Sequence, residues 1–379
     1  MHARVQTRAI NPTVQAQLWG KAAGRCEFSG CNQILWKSPV TQEAVNIAQK
    51  AHIYAFSPKG PRGYKRIPTY ELNNIENLIL VCHACHQIID HDREGKLYSS
   101  ELLCKWKLEH EHRIEIQTSI HVDKKSYVLF YGTRIGEVDS PLSFNSAAMA
   151  MVPDRYPAES RAIEIGMTNS SFEDSKGEFW RIEESNLVSK YNQRVKDRLA
   201  DRSIGHISVF ALAPQPLLIR LGSLLTDISE VQVFPRTREP QGWGWRKKQS
   251  GIRFIPLKPK RKMGPPALIL DMSAKIEDKR IHEALGRRAT IWRITTNKPQ
   301  NDFLRSKEQL REFRQVARDI VSKITEMHGR VAQLDIFPAV PSAIAVELGR
   351  IRQPKADLPW QVWDQIRPGQ PFVRAIGIR

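Results

Sequence analysis

The sequence predicts an α/β protein made of two parts: a small zinc-centred module at the amino terminus and a larger region that contains a duplicated unit. Three observations support this prediction. Four of the five cysteines form two close pairs, Cys26 with Cys31 and Cys82 with Cys85. Key residues of one stretch in the second half of the chain recur further on. The 379 residues carry a formal net charge of +18, which indicates a polyanionic partner.

The two cysteine pairs are typical of a structural zinc site. Each pair brackets a turn, so four thiolates can face one tetrahedral metal ion. Unpaired core thiols are the alternative, but the close pairing disfavours it. We therefore expect zinc at Cys26, Cys31, Cys82 and Cys85, and we expect Cys104 to be a small buried residue. No pair is then left for a disulfide, as is usual in a reducing compartment.

Polar side chains around the second cysteine pair add the groups that phosphodiester hydrolysis requires. They are His52, Asn77 ahead of the pair, and His86 directly after it. Such a set supplies a base for water, a side chain that holds the base, and a ligand for a divalent metal ion. A satisfied core histidine is the alternative for His52, and a cap at a strand end is the alternative for Asn77. His83 and His91 are either solvated or spare metal ligands.

The cysteine frame and these three residues resemble the HNH endonucleases, which have a ββα-metal core, over residues 15–115. The resemblance implies that His52 on the first strand is the general base and that Asn77 orients it. It also implies that His86, at the start of the helix, binds a catalytic Mg²⁺ ion. Residues 1–118 are therefore predicted to form an HNH domain that cleaves double-stranded DNA.

One position departs from the family pattern. Many HNH proteins place an aspartate just before the first histidine as a second metal ligand, and this chain has Ala51 there. The catalytic metal must then find another partner. Asp90 lies one helical turn after His86 on the same face and is the nearest candidate.

The segments around these residues have clear local signals. Residues 12–24 predict a helix, with a proline near the start and a glycine near the end. Residues 101–117 predict a charged helix that closes the module, and residues 127–131 predict a buried strand. The loop between His52 and Asn77 is rich in glycine, proline and positive charge. DNA contacts, with a solvated loop as the alternative, are predicted at Lys59, Arg62, Lys65 and Arg66.

The second decisive feature is an internal repeat of residues 209–222 at 336–349. Phenylalanine, proline, leucine and glycine recur at identical offsets, and a short aromatic strand follows each copy, at 231–234 and at 360–363. In each copy an apolar strand leads into a loop with a proline, then into a helix and the further strand. Ligands of such doubly wound sheets bind beyond the carboxyl ends of the strands. Two copies therefore predict a cleft about a pseudo-twofold axis, suited to a small ligand with two like halves.

The repeat resembles the SAVED domain, a tandem relative of the nucleotide-sensing, Rossmann-like CARF domains, over residues 119–379. Its two fused α/β units are expected near 122–250 and 265–379. The whole chain is similar to the HNH-SAVED effectors of bacterial cyclic-oligonucleotide anti-phage (CBASS) systems. This resemblance implies a cytoplasmic bacterial DNase that stays idle until a cyclic dinucleotide, such as cyclic GMP-AMP, binds the SAVED domain. It also implies ligand-driven assembly into a homodimer or a larger homo-oligomer.

Candidate ligand-binding residues lie in the loops after the repeated strands and in a segment rich in glycine and tryptophan. The helix amino termini after Pro214 and Pro341 could receive phosphates. Tryptophans beside cations at 243–246 would stack on bases, although packing under a domain edge is the alternative. The basic run at 258–262 is predicted to be a linker between the units. The predicted ligand-binding residues are Pro214, Gln215, Arg236, Trp243, Trp245, Arg246, Pro341 and Ser342.

The sequence shows neither a signal peptide nor an apolar run long enough to cross a bilayer, so we expect a soluble cytoplasmic protein with no membrane partner. Two other functions remain open. The chain could be a restriction-type HNH endonuclease whose carboxy-terminal half reads DNA, or a non-catalytic zinc protein that binds nucleic acid. The duplication disfavours the first alternative. The set of His52, Asn77 and His86 disfavours the second.

Overall fold

The computed structural model describes residues 9–55, 57, 60–63, 71–133, 142–166, 178–227, 230–245, 251–329, 332–365 and 369–379. The chain divides into two compact units, Met1–His121 and Val122–Arg379. Each unit has its own apolar core.

The amino-terminal unit is built on an antiparallel hairpin with helices packed on it. Its main elements are α1 (Pro12–Lys21), β1 (Ala48–His52), β2 (Leu78–Cys82), α2 (His83–His91) and α3 (Ser100–Thr118). His52 lies opposite Leu78 in the hairpin. Every residue of β2 is buried, so this strand forms the centre of the core. Because α2 begins directly after β2, the order strand, strand, helix runs through the second cysteine pair.

Local chemistry explains where α1 begins and ends. The Asn11 side chain accepts a hydrogen bond from Thr13 N at 2.8 Å, and Pro12 occupies the first position of the helix. The helix ends at Lys21, shorter than the predicted range, because Ala23 and Gly24 adopt left-handed φ values of +50° and +62° and turn the chain toward the first cysteine pair.

The carboxy-terminal unit contains two largely parallel sheets. The first is formed by β3 (Lys125–Gly132), β4 (Tyr156–Pro157), β5 (Ile163–Glu164), β6 (Ile207–Leu212) and β7 (Val231–Phe234). These strands are parallel in the order β4-β3-β6-β7, with β5 also beside β3. A short antiparallel ribbon follows, formed by β8 (Arg236–Thr237) and β9 (Gly242–Trp243).

The second sheet has antiparallel strands at both edges and parallel strands between them. Its strands are β10 (Phe254–Leu257), β11 (Pro266–Asp271), β12 (Thr290–Thr296), β13 (Leu334–Ala339), β14 (Trp360–Asp364) and β15 (Val373–Ile378). They are arranged in the order β10-β12-β11-β13-β14-β15.

Helices connect these strands. They are α4 (Phe144–Met151), α5 (Glu178–Tyr191), α6 (Asp197–Ala200), α7 (Gln215–Leu225), α8 (Asp278–Leu285), α9 (Lys307–His328) and α10 (Ser342–Ile351). Over the part of the chain that the structure describes, no helix combines the length and apolar character needed to cross a membrane.

The duplicated unit is visible in this fold. The elements β6, α7 and β7 correspond to β13, α10 and β14, in the expected order of strand, loop, helix and strand. The repeated aromatic residues occupy equivalent places. Phe210 stacks on Phe234 with ring centroids 4.6 Å apart, and Phe337 stacks on Trp363 at 5.3 Å. Each pair belongs to a small core on one face of its sheet, whereas the largest core contains residues of both sheets.

The repeated glycines mark the point where α7 and α10 approach each other. A Cβ at Gly222 would lie 1.9 Å from Val346 O, and a Cβ at Gly349 would lie 1.9 Å from Ile219 O. No side chain fits between main chains at this distance, which explains why both copies carry glycine here. The two repeats therefore share one tightly packed interface.

Candidate functional site

The first candidate site is the cluster of four cysteines. Cys26 and Cys31 lie in the loop after α1, Cys82 ends β2, and Cys85 lies in the first turn of α2. Their sulfur atoms all lie within 4.8 Å of one another, and Cys31 Sγ is 4.0 Å from Cys82 Sγ. Tetrahedral Zn–S bonds of about 2.3 Å place sulfur atoms about 3.8 Å apart, so the donors and their spacing fit zinc. Within the described ranges, no other group of three or more His, Cys, Asp or Glu side chains is gathered closely enough to hold a metal ion alone.

The raised pKa values of the buried thiols also indicate that a cation is needed to stabilise their thiolates. Burial raises the pKa of Cys26 to about 12, although main-chain N–H groups that donate to its sulfur oppose the shift. Burial shifts the pKa of Cys85 in the same direction. At neutral pH these two thiols stay protonated unless a metal ion stabilises the thiolates. Zinc binding at this cluster would therefore release protons.

Glu27 connects the cysteine loop to the hairpin. Its main-chain N donates to Leu80 O at 2.9 Å, and its Oε2 accepts from Leu80 N at 2.6 Å. The side chain is only 1% exposed, and burial raises the pKa of Glu27 to about 7. This two-way contact fixes the loop of Cys26 and Cys31 beside β2.

His52 lies at the end of β1, half-buried, and its ring is oriented by an asparagine. The His52 Nε2 atom is 2.9 Å from Asn73 Oδ1, while Asn73 Nδ2 donates to Ala9 O at 3.4 Å. With the amide nitrogen of Asn73 bound to a carbonyl, its oxygen faces the ring, so Nε2 carries the proton. In the tautomer with its proton on Nε2, the lone pair is on Nδ1, which is the arrangement that a general base requires. Ala51, one residue earlier, points into the core.

Asn77, predicted to orient His52, acts on the main chain instead. Its Oδ1 accepts from Tyr54 N at 2.7 Å, and its Nδ2 donates to Tyr54 O at 3.1 Å and to Leu72 O at 2.9 Å. Asn77 therefore orders the turn that follows β1, and the direct side-chain contact with the His52 ring is made by Asn73. Asn73 thus contacts the His52 ring, and Asn77 holds the main chain beside it, whereas Asn77 was predicted to orient the ring.

His86 and Asp90 lie one turn apart on α2. The Nε2 atom of His86 is 3.6 Å from Asp90 Oδ2. Both atoms could bind one Mg²⁺ ion, which usually keeps several waters and substrate phosphate oxygens as its other ligands. This pair thus fits the metal that the resemblance implies, as a part of its ligand set.

Arg62, predicted to contact DNA, is buried and has internal partners in this fold. The Arg62 side chain is only 4% exposed, and it donates from Nε to Ile53 O at 3.1 Å and from Nη1 to Ile89 O at 3.0 Å. Its Nη2 atom is also 3.7 Å from Asp90 Oδ1. Burial lowers the pKa of Arg62, while Asp90 and Asp92 oppose that shift. These internal partners and the burial favour a structural role for Arg62, and DNA contact at this residue stays a prediction.

The remaining basic residues of that loop, Lys59, Lys65 and Arg66, lie outside the described residues. His83 and His91 are exposed on α2, and the His83 ring is 3.0 Å from Gln87 Nε2. Neither joins a cluster of potential metal ligands within the described ranges.

The second candidate site is a cleft at the carboxyl ends of the repeated strands. Its volume of about 360 Å³ lies within the range of small-molecule sites. Pro214 and Gln215 line it after β6, and Pro341 and Ser342 line it after β13. Arg236, which follows β7, lines it as well. The fold therefore brings together five of the predicted ligand-binding residues, because parallel strands end at the same edge of their sheet.

Gln215 bridges the two repeats within this cleft. Its Oε1 accepts a hydrogen bond from Val340 N at 3.0 Å, so the first residue of α7 holds the loop that precedes α10. Pro214 and Pro341 are the N-cap residues of α7 and α10, and neither supplies a side-chain cap. The amino-terminal N–H groups and the helix dipoles favour an anionic ligand. Because Pro216 has no N–H, the first turn of α7 offers fewer donors than that of α10.

The two halves of the cleft differ in charge. Arg236 and Arg238 follow β7, whereas Asp364 and Gln365 occupy the corresponding place at the end of β14. Asp302 Oδ2 accepts from Arg238 N at 2.9 Å and fixes that loop. A ligand with two like halves, as predicted, would thus meet two unlike half-sites.

Trp243 and Trp245, predicted to stack on the ligand, pack against apolar side chains of the first sheet and are not among the residues that line the cleft. The Trp243 ring lies edge-on to Phe210 at 5.4 Å, and the Arg236 guanidinium lies 5.4 Å from the Trp243 ring centroid. Trp245 packs on the edges of the same small core and of the main core. Both rings cover apolar surface, which is the packing alternative raised by the sequence. Arg246 lies outside the described residues.

Several residues of the cleft were missed by sequence reasoning. Asp364 and Gln365 could have been found, because counting from the start of each short strand aligns them with Pro235 and Arg236. Ser273 lies two residues after the end of the buried strand β11, where ligand-binding loops are expected. Asn301 and Asp302, in the connection before α9, have no sequence feature that would have marked them as cleft residues. The missed residues are Arg238, Ser273, Asn301, Asp302, Asp364 and Gln365.

Comparison with known proteins identifies the carboxy-terminal unit. Residues 188–378 match the family described as SAVED, SMODS-associated and fused to various effectors sensor domain. No curated protein matches the chain.

Solved structures of the Acinetobacter baumannii Cap4 SAVED/CARF-domain containing receptor are also similar. The receptor with the cyclic trinucleotide 2'3'3'-cAAA is 11% identical, with 73% of this chain and 59% of that chain covered and a TM-score of 0.42. The receptor without a named ligand is 12% identical, with 73% and 57% covered and a TM-score of 0.40. The receptor with 3'3'3'-cAAA is 9% identical, with 73% and 59% covered and a TM-score of 0.43. The chain thus spans less than two thirds of the length of these receptors.

Proposed function

The chain belongs to the SAVED family of sensor domains, and from this premise we propose that it is a cyclic-oligonucleotide-activated DNA endonuclease of anti-phage defence. The observation that carries the proposal is that one chain joins a sensor cleft to a cysteine-framed hairpin and helix with His52 and His86. The sensor would be the carboxy-terminal unit, and the nuclease would be the amino-terminal unit.

The cleft supports the sensor half of the proposal. It has the size of a small-molecule site, two helix amino termini that favour anions, and the cations Arg236 and Arg238. These groups suit the phosphates of a cyclic oligonucleotide. A cyclic dinucleotide such as cyclic GMP-AMP is the proposed activator. Gln215, which already spans the repeats, would report on the ligand by exchanging its contact with Val340 for one with the ligand.

The hairpin and helix support the nuclease half. His52, with Nε2 held by Asn73, takes a proton at Nδ1 from the water that attacks the phosphate. Asn77 keeps the turn after His52 in place through the main chain of Tyr54. The cysteine cluster holds zinc and fixes the start of α2, from which His86 and Asp90 project.

His86 and Asp90 would hold Mg²⁺, which supplies charge stabilisation to the phosphate and to the leaving oxygen when bound. The 3.6 Å between their ligand atoms supports this role. The substrate is double-stranded DNA, and the net charge of +18 favours its approach. Ligand-driven assembly into a dimer or a larger oligomer would bring two nuclease sites to the two strands.

A nuclease assay on the purified protein tests this function. Plasmid DNA and Mg²⁺ are incubated with and without a panel of cyclic dinucleotides and trinucleotides, and light scattering follows the molar mass of the same samples. We expect cleavage and a rise in mass only with the correct ligand. Full cleavage without any ligand would remove the sensor role and favour a restriction-type endonuclease.

A pair of histidine variants tests the chemistry. His52→Ala should lower the cleavage rate by about 100-fold to 10,000-fold, the usual contribution of a general base. His112→Ala removes a histidine that is 72% exposed on α3 and should cut normally. Normal cleavage by His52→Ala, at full zinc content, would contradict the proposed base.

A further inference from the structure

We propose that Arg62 is a positioning residue that locks the strand end carrying His52 to the part of α2 that carries His86 and Asp90. This inference rests on the proposed nuclease function and assigns the role of Arg62 within it. Arg62 contacts the proposed metal ligand Asp90, and it acts on His52 and His86 through the two elements that present them.

The contacts of Arg62 reach both elements. Its Nε donates to Ile53 O at 3.1 Å, one residue after His52. Its Nη1 donates to Ile89 O at 3.0 Å, and its Nη2 is 3.7 Å from Asp90 Oδ1. One planar group thus joins the end of β1 to the last turn of α2. Few other side chains could do this, because the guanidinium presents five donors in a rigid fork.

The Arg62 side chain is closely enclosed by its surroundings. The side chain is 4% exposed. A Cβ at Gly95 would lie 2.8 Å from Arg62 Cγ, and Gly95 has a φ of +70°, so the chain passes closely over the arginine stem. Arg62 itself adopts a φ of +55°, an uncommon conformation for a residue with a side chain. A solvated cation in a loop would need neither this enclosure nor this backbone conformation.

The contact with Ile89 O also completes α2. The last four carbonyl groups of a helix lack partners within the helix, and Ile89 belongs to the final turn of His83–His91. A cation at this end is favoured by the helix dipole as well. Arg62 therefore stabilises the end of the helix and ties it to β1 with the same group.

Substitution by lysine separates positioning from charge. Arg62→Lys keeps the positive charge that a DNA phosphate would require but loses the fork that binds two carbonyl groups. We expect kcat to fall on the order of 100-fold, as displacement of a catalytic group by about 1 Å can cause. We expect the KM for DNA and its salt dependence to stay unchanged. Arg62→Met, which also removes the charge, should behave like Arg62→Lys.

Arg93 offers a matched control, because it is an exposed arginine in the same unit. Arg93→Lys and Arg93→Met should leave kcat unchanged. All variants are compared as full-length protein with the activating ligand, and zinc content confirms that the module is folded. A normal kcat in Arg62→Lys, with a salt-dependent rise of KM in Arg62→Met, would show that Arg62 binds DNA and would overturn the inference.

A readout independent of cleavage keeps this inference separate from the proposed function. The imidazole NMR signals of histidine-labelled protein report the surroundings of His52 and His86, with His112 as an internal reference. We expect both signals to move in Arg62→Lys while His112 stays fixed. If the wild type cuts no DNA with any ligand, the nuclease function fails, and these signals still decide whether Arg62 positions the two histidines. Unchanged His52 and His86 signals would overturn the positioning role.

Discussion

In the amino-terminal unit, side chains near His52 are held by hydrogen bonds to main-chain oxygens and nitrogens and by a cysteine cluster. In the carboxy-terminal unit, the cleft residues are carried on strand ends and helices that apolar packing fixes. Asn77 and Arg62 illustrate the first strategy, since each binds main-chain groups of two segments. Gly222 and Gly349 illustrate the second, since they allow two helices to meet without side chains between them.

The difference follows from size. The amino-terminal unit is the smaller of the two, and the fraction of surface that a domain buries on folding rises with its size. Directional bonds supply part of the stability that a larger core would provide, and zinc at the four-cysteine cluster would add to it. The side chains around His52 therefore depend on a few polar contacts, whereas the cleft depends on packing across two repeats.

Loss of zinc should give the largest effect. Cys82→Ser removes a ligand, and because zinc binding at such sites contributes about 10–16 kcal/mol, the amino-terminal unit should unfold. The carboxy-terminal unit, which has its own core, should stay folded. Zinc analysis and limited proteolysis measure both outcomes. Cys104→Ser is the control and should keep its zinc, while a full zinc complement in Cys82→Ser would refute the metal site.

A methyl group at the helix contact tests the packing strategy. Gly349→Ala should destabilise the carboxy-terminal unit by about 3 kcal/mol, because overpacking a close main-chain contact outweighs the roughly 1 kcal/mol that alanine gains over glycine within a helix. Gly377→Ala is a matched control, since its new Cβ would meet only the Gln361 side chain at 3.8 Å. Denaturant unfolding should show almost no change for Gly377→Ala. Equal stability of both variants would mean that the helices do not meet at glycine.

A buried histidine, His206, should make the stability of the carboxy-terminal unit depend on pH. His206 lies against Ser126 Oγ at 2.7 Å, and burial lowers its pKa to about 3, assisted by the charges of Arg155, Arg350 and Lys307. Below pH 6.5, His206 binds a proton in the unfolded chain but stays unprotonated in the folded protein. The free energy of unfolding therefore decreases as the pH falls from 6.5 toward 3. Between pH 7 and pH 5 we expect a loss of about 2 kcal/mol from this residue.

The variant His206→Asn measures this contribution. Asparagine keeps a polar group near Ser126 but does not titrate in this range. The difference in unfolding free energy between the wild type and His206→Asn should therefore change by the same amount between the two pH values. Parallel pH profiles of the two proteins would show that His206 is protonated in the folded state.

The smallest effect is expected for an exposed ion pair of the amino-terminal unit. Lys105 and Glu109 lie 3.9 Å apart on α3, 65% and 62% exposed. Lys105→Ala should change the unfolding free energy by less than about 0.5 kcal/mol, because water screens such pairs. A larger loss in thermal unfolding would show that surface charges, and not only buried polar contacts, stabilise this unit.

The residues that could be predicted carry chemical or repeated signals along the chain. The cysteine pairs predict a metal site because thiol spacing alone restricts their geometry, and the fold gathers the four sulfur donors in one cluster. The repeated phenylalanine, proline and glycine predict the duplicated unit, since each has a local reason to recur. The position of the cleft follows from the rule that ligands meet the carboxyl ends of parallel strands.

Other assignments depended on which distant segments meet. Asn73 and Asn77 are both asparagines in one short stretch, and only the turn between them decides which one reaches the His52 ring. Arg62 lies among glycines, prolines and basic residues that indicate a solvated loop, yet the end of α2 buries it. Trp243 could stack on a ligand or pack edge-on against Phe210, and the ribbon after β7 turns it toward the sheet. Long polar and aromatic side chains have many possible partners, so their roles are set by tertiary contacts rather than by their neighbours in sequence.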